Sequence, residues 1–273
     1  MPPPRIARLL RTIITITIMP MRTGANIKKP IKAPITTPVI AMPAPTSERP
    51  AFAELPLLVW LSPAFPVGAF AYSHGLEWAV EAGDVVDAAT LREWLADLLK
   101  FGAPRNDAIL FSLAFGATAG GRWSELTQLN ELAIALAGSA ERRLETLAQG
   151  EAFIAALRSA WSCPAIERWP EPGGPVAYPV AVGLAAAGHG LELRACLEAF
   201  VLSLVANFVS AVVRLGPIGQ SDGQKVIAAL VREIRRVADE AARAGQDDIG
   251  GCALRSDLAA IKHETQYSRL FRS

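Results

Sequence analysis

Ser73 and His74 stand together in Ala71-Tyr72-Ser73-His74-Gly75, one residue type away from the G-x-S-x-G turn on which α/β hydrolases mount a nucleophilic serine. The flanks extend the likeness, with apolar VGAFA before the serine and helix-like GLEWAV after it. That turn works at the edge of a parallel sheet, and the sequence holds no set of buried β-branched runs from which to build one. A serine hydrolase using Ser73 is therefore the alternative reading, set against recognition by the same residues.

Two other stretches invite chemistry. GPIGQSDGQK resembles a phosphate-binding loop, but three residues rather than four separate Gly219 from Gly223, and Gln224 intervenes before Lys225. The plainer reading is a turn that caps two helices through Ser221 or Asp222. The histidines His74, His189 and His263 lie far apart, and Glu77 one turn after His74 or Glu264 beside His263 completes no HxxxH or HExxH pattern. Each histidine reads as a hydrogen-bonded structural or interface residue, and no catalytic, metal or cofactor site is assigned.

Recognition has better candidates. Among the aromatic residues of PAFPVGAFAYSHGLEW, Phe65 and Trp78 read as core, whereas Phe70, Tyr72 and His74, flanked by glycines, are expected on an exposed surface. The segment HETQYSRLFRS interleaves Tyr267, Leu270 and Phe271 with Arg269 and Arg272, the anchor-plus-arginine chemistry of an interface, and is expected to be ordered by a partner.

The elements that must position these groups are helical. In TLREWLADLLKFG, Thr90 and Glu93 read as a capping box, Leu91, Trp94, Leu95, Leu98 and Leu99 keep the helical spacing, and Gly102 ends the run. Further helices are expected at 106–115 and 124–137, with GATAGGR as the loop between them. Ser139 is the expected N-cap of a helix to about Ser159 that buries Leu144, Leu147, Ile154 and Leu157. RWPEPGGP breaks the pattern, and the Ala-rich run 176–187 is helical, kinked or started late by Pro179. ACLEAFVLSLVANFVSAVVRLGP is long and apolar enough to span a bilayer. Glu198 near its start, with Ser203, Asn207 and Ser210 on one side, favours instead the central buried helix of a bundle. Helices from about Lys225 to Ala244 and over 254–267 follow, with GQDDIGGC as a loop. The fold class is all-α, a single compact bundle of about ten helices with no significant sheet.

Composition narrows the function classes. Residues 1–50 hold eight Lys/Arg against the single acid Glu48, leaving 19 basic and 25 acidic side chains in 51–273, a charge of about −6 that does not suit nucleic acid. Three dispersed cysteines, with no CxxC pair, suggest neither a disulfide framework nor a zinc knuckle, and fit the cytoplasm. Residues 1–50 contain half of the prolines and are expected to be a disordered extension or a mis-assigned start rather than a targeting segment, with residues 51–273 as the folded domain.

Three separated stretches, LSPAFPVGAFAYSHGLEWAVEAG, NFVSAVVRLGPIGQSDGQ and HETQYSRLFRS, together resemble the urease accessory protein UreF family over about 55–273. The resemblance implies an all-α homodimer that is not an enzyme. It also implies a cytoplasmic nickel-insertion chaperone that binds a UreD/UreH-type accessory protein, helps recruit a UreG-type GTPase and acts on apo-urease, with no nucleic-acid or membrane role. Partner-binding positions are assigned at Phe70, Tyr72, His74 and Glu77 in the first motif, and at Gln220, Asp222 and Gln224 in the second, where the resemblance carries the motif but no role. In the last, His263, Glu264, Tyr267, Arg269, Leu270 and Phe271 are implied, Arg269 matching an arginine tied to GTPase recruitment.

Overall fold

The computed structural model describes residues 55–170 and 174–273. The expectations for residues 1–50 lie outside these. Eleven α-helices are present among the described residues, and no strand. They are α1 Leu55–Trp60, α2 Leu76–Glu81, α3 Ala88–Phe101, α4 Ala103–Ala119, α5 Trp123–Ala135, α6 Ala140–Ala160, α7 Pro164–Arg168, α8 Tyr178–Gly188, α9 Leu193–Leu215, α10 Gln220–Ala241 and α11 Leu254–His263. The all-helical expectation holds.

The boundaries show where local chemistry differed from the expectation. The α3 cap is Asp87, whose side chain accepts from the Thr90 backbone N–H while the Thr90 hydroxyl accepts from the Asp87 N–H. Thr90 is thus the third residue of the box rather than its first. Helix α4 starts with Pro104 in its first turn and continues through the expected GATAGGR loop to Ala119, because Ala117 and Thr118 are buried. Gly120 and Gly121 then stop it. Ser139 caps α6 as expected, its hydroxyl accepting from Arg142 N–H at 3.2 Å. Pro179 sits in the first turn of α8, where its missing N–H breaks no helical bond.

Helices α4 and α8 form the centre. Every residue of α8 from Tyr178 to Ala186 is buried, and α4, α5, α6, α7 and α9 all pack on it. The place expected for α9 is therefore taken by α8. Helix α9 is a long wall of the core: Leu197, Phe200, Val201, Val205, Phe208, Val209 and Val212 face inward, while Leu202 and Ser210 are exposed. Although α9 is apolar and long enough to cross a membrane, 56% of its most apolar stretch is buried inside the body. At about 1.5–3 kcal/mol per buried Leu, Val or Phe side chain, this wall contributes a large share of core stabilisation.

The expected polar turn before α10 is instead its first turn. The helix begins at Gln220 behind Gly219, and neither Ser221 nor Asp222 provides a side-chain cap. The reason is Gly223: a Cβ there would lie 2.9 Å from Val209 Cγ1 and 3.2 Å from Val213 Cγ2, so this glycine lets α10 press against the end of α9.

Candidate partner-binding site

The first motif folds as a chain of turns. A single 3₁₀ turn at Ala69–Ala71 leads to His74 and Gly75, both left-handed (φ 57° and 75°), before α2 begins at Leu76. Gly75 has no alternative, since a Cβ would stand 2.6 Å from the Ala260 backbone nitrogen in α11. His74 is the only non-glycine with positive φ among the described residues, a costly conformation that surrounding structure must impose. That structure is residues 264–273. Ser73 N–H donates to the Ser273 carbonyl at 2.6 Å, its hydroxyl donates to the same oxygen, and Arg272 N–H donates to Ala71 O at 2.8 Å.

Glu77 lies in the first turn of α2, where the helix dipole favours a carboxylate. Its Oε1 accepts from Leu270 N–H at 2.6 Å, and its Oε2 accepts from Phe271 N–H at 2.9 Å. His263, fully buried at the end of α11, places Nε2 3.1 Å from Glu77 Oε2 and Nδ1 2.6 Å from Glu141 Oε2. The other Glu141 oxygen accepts from Arg269 Nη1 at 2.8 Å. Glu141 in turn stands in the first turn of α6.

One helical turn along α6 is a second cluster. Glu145 accepts from Arg142 Nη1 at 2.6 Å, Gln149 Nε2 at 3.0 Å and the Ser273 hydroxyl at 3.1 Å, and lies 2.8 Å from His74 Nε2. Burial pushes the Glu145 carboxyl up, but Arg142 and His74 outweigh it and hold the group down at about 2. Burial, helped by Arg142, lowers His74, whose Nε2 lies 2.6 Å from Arg142 Nη1 as well as 2.8 Å from Glu145 Oε1. Asp107, 3.8 Å from Arg142, is pushed up to about 6 by burial and by Glu145, against the pull of Arg142. His74, Asp107 and Arg142 border a cavity of about 210 Å³.

The expected exposure of this surface needs correction. Phe70 is exposed, but Tyr72 and His74 are buried at 3% and 5%, His74 against the Phe208 ring, Arg142 and Glu145. Glu77 and His263 are buried as well. The last segment is ordered on its own body rather than awaiting a partner: Phe271 is buried beneath the Arg214 guanidinium, 4.4 Å from its ring centre, while Tyr267 and Leu270 are exposed. Glu264 Oε1 accepts from Ala140 N–H at 2.8 Å and joins the N-terminus of α6 to this region. The structure does not bring Gln220, Asp222 and Gln224 into the cluster; they lie at the start of α10, with Asp222 paired to Lys225.

The sequence reading missed Glu141, Arg142, Glu145, Gln149 and Arg214. A signal was present on α6, where Glu141, Glu145 and Gln149 recur every fourth residue and are buried, while Leu144, expected inside, is 54% exposed. Polar residues in the register of a buried stripe mark a helix that serves a network rather than a core. Ser73 is likewise no nucleophile: it is fully buried, its hydroxyl is spent on Ser273, and neither His74 nor His263 bonds to it. Among the described residues, no three His, Cys, Asp or Glu side chains are grouped to hold a metal ion.

The polar groups of this region are turned toward a segment of their own chain, on an all-helical frame. A family model described as UreF matches residues 85–231. The urease accessory protein UreF of Xanthobacter autotrophicus is 54% identical over 220 residues, covering 80% of this chain and 90% of that relative. A UreF of Rhodopseudomonas palustris (strain BisB5) is 49% identical over 243 residues, 89% of this chain and 98% of the relative. That of Methylorubrum populi is 51% identical over 220 residues, covering 80% and 98%. The chain belongs to the UreF family of urease accessory proteins, which are not enzymes.

Proposed function

We propose that this protein is a cytoplasmic nickel-insertion chaperone for urease, a homodimer that binds a UreD/UreH-type accessory protein and a UreG-type GTPase and presents them to apo-urease. The observation that carries the reading is the docked C-terminal segment. Glu77 and Glu141 hold its backbone and Arg269 while Tyr267 and Leu270 stay in solvent, the arrangement of anchors prepared for a second surface. Nickel is cargo in this scheme, and the chain contributes surfaces rather than a ligand cage.

Deleting residues 263–273 would also remove the buried His263 and Phe271, so exposed positions give the cleaner test. Tyr267→Ser with Leu270→Ser should leave the helical signal and unfolding midpoint unchanged. Capture of the UreD/UreH-type partner should be lost, and co-expressed urease should be left without nickel. Normal partner capture and normal urease nickel content in the double variant would overturn the assignment.

A further inference from the structure

His263 faces a carboxylate oxygen from each ring nitrogen, and a neutral imidazole can donate to only one of them. A neutral ring carries one N–H, and its other nitrogen only accepts. Here Nδ1 faces a Glu141 oxygen at 2.6 Å and Nε2 faces a Glu77 oxygen at 3.1 Å. An imidazolium supplies both hydrogens, whereas a proton placed on Glu141 Oε2 instead would leave Arg269 facing a neutral acid. Both Glu77 oxygens already receive N–H groups of Leu270 and Phe271, and the other Glu141 oxygen receives Arg269. With the ring as an imidazolium, Glu77, Glu141, His263 and Arg269 form a neutral set of two acids and two bases.

The geometry points to His263 as a proton-dependent latch. It is a positioning residue whose imidazolium holds Glu77 and Glu141 where they capture residues 269–271, so that loss of its proton releases the segment. Without that proton one nitrogen lone pair faces a carboxylate, and two buried acids are left with Arg269 as their only cation. Other charged groups on the packed elements are engaged elsewhere: Glu81 of α2 with Gln266, Arg142 and Glu145 of α6 with His74, and Lys262 and Glu264 of its own region with the Trp78 ring and Ala140 N–H. The latch itself stands apart from the proposed chaperone role; only its consequence for partner capture rests on that reading.

The test uses the full chain. Hydrogen exchange of peptides spanning 264–273 is followed from pH 5.5 to 8.5, corrected for intrinsic exchange, with peptides from α9 as the internal reference. Protection of Leu270 and Phe271 should fall at least tenfold as pH rises while α9 is unchanged. His263→Gln should abolish that dependence and Asp107→Asn, which alters the other nearby titrating group, should preserve it. Unchanged protection across the range would overturn the latch, as would the same pH dependence in His263→Gln. Should His263→Gln not fold, ¹⁵N spectra of the native ring decide: two protonated nitrogens at the low-pH end support it, and a single tautomer throughout overturns it. If the segment releases on schedule while partner capture is indifferent to pH, the latch stands and the role given to the segment under the proposed function fails.

Discussion

Glu145 shows how a single buried side chain depends on its neighbours. With its carboxyl held at about 2, against an ordinary value of 4.5, it contributes stability that is present above the ordinary value and lost as pH falls toward 2. Glu145→Ala would also leave Arg142 without its nearest counter-charge, and should cost about 3–5 kcal/mol in urea unfolding at pH 7. Asp107 runs the other way. Raised from 3.8 to about 6, it binds a proton more readily when folded, so stability declines as pH rises from about 4 to 6 and stays reduced above that. Asp107→Asn should therefore gain on the order of 2 kcal/mol at pH 8 and little at pH 4, measured by thermal unfolding at both. Asp107 was not legible in advance, and Glu145 only through the four-residue recurrence it shares with Glu141 and Gln149. A lone acid in a helix reads as solvated until another element is seen to cover it, and the covering residues lie far away in sequence.

At the scale of the element, apolar periodicity located the major helices. Leu91, Trp94, Leu95, Leu98 and Leu99 of α3 are all buried as their spacing implied. Gly102 ends α3 as expected, but the loops placed at Gly116 and Gly223 were misjudged, because the same residue that breaks a helix also lets two helices approach. Gly116 and Gly223 lie within helices, and Gly223 seats α10 against Val209 and Val213. Gly223→Leu should force those side chains apart and lower stability by about 1–3 kcal/mol. Helix α6 gives a paired check: Leu144→Gln, on the exposed side, should change stability by less than about 0.5 kcal/mol. Leu157→Ala, at a fully buried position of the same helix, should cost about 2–5 kcal/mol in the same urea titration.

For the whole molecule, the helical class and the two ends of the binding region were visible in the sequence; their meeting was not. The turn at 69–75 and the segment 264–273 each looked like a separate surface awaiting a partner. The structure instead joins them through Glu77, Ser73 and α6, and Tyr72, His74 and Phe271 are buried. Phe271→Ala should loosen this junction alone. We expect faster proteolysis at Arg269 and Arg272 and unchanged exchange in α8, read by mass spectrometry after brief trypsin treatment.

The Glu77–Leu270 hydrogen bond also has a consequence in time. Its partners are 193 residues apart, so at roughly 5–20 residues per second a ribosome makes Leu270 about 10–40 s after Glu77. During that interval the helices can pack, but Glu77 and Glu141 have neither His263 nor the backbone N–H groups that satisfy them later. Chains stalled or truncated before His263 would leave Glu77 and Glu141 without the imidazole, the Arg269 guanidinium and the two backbone N–H groups that satisfy them in the finished protein.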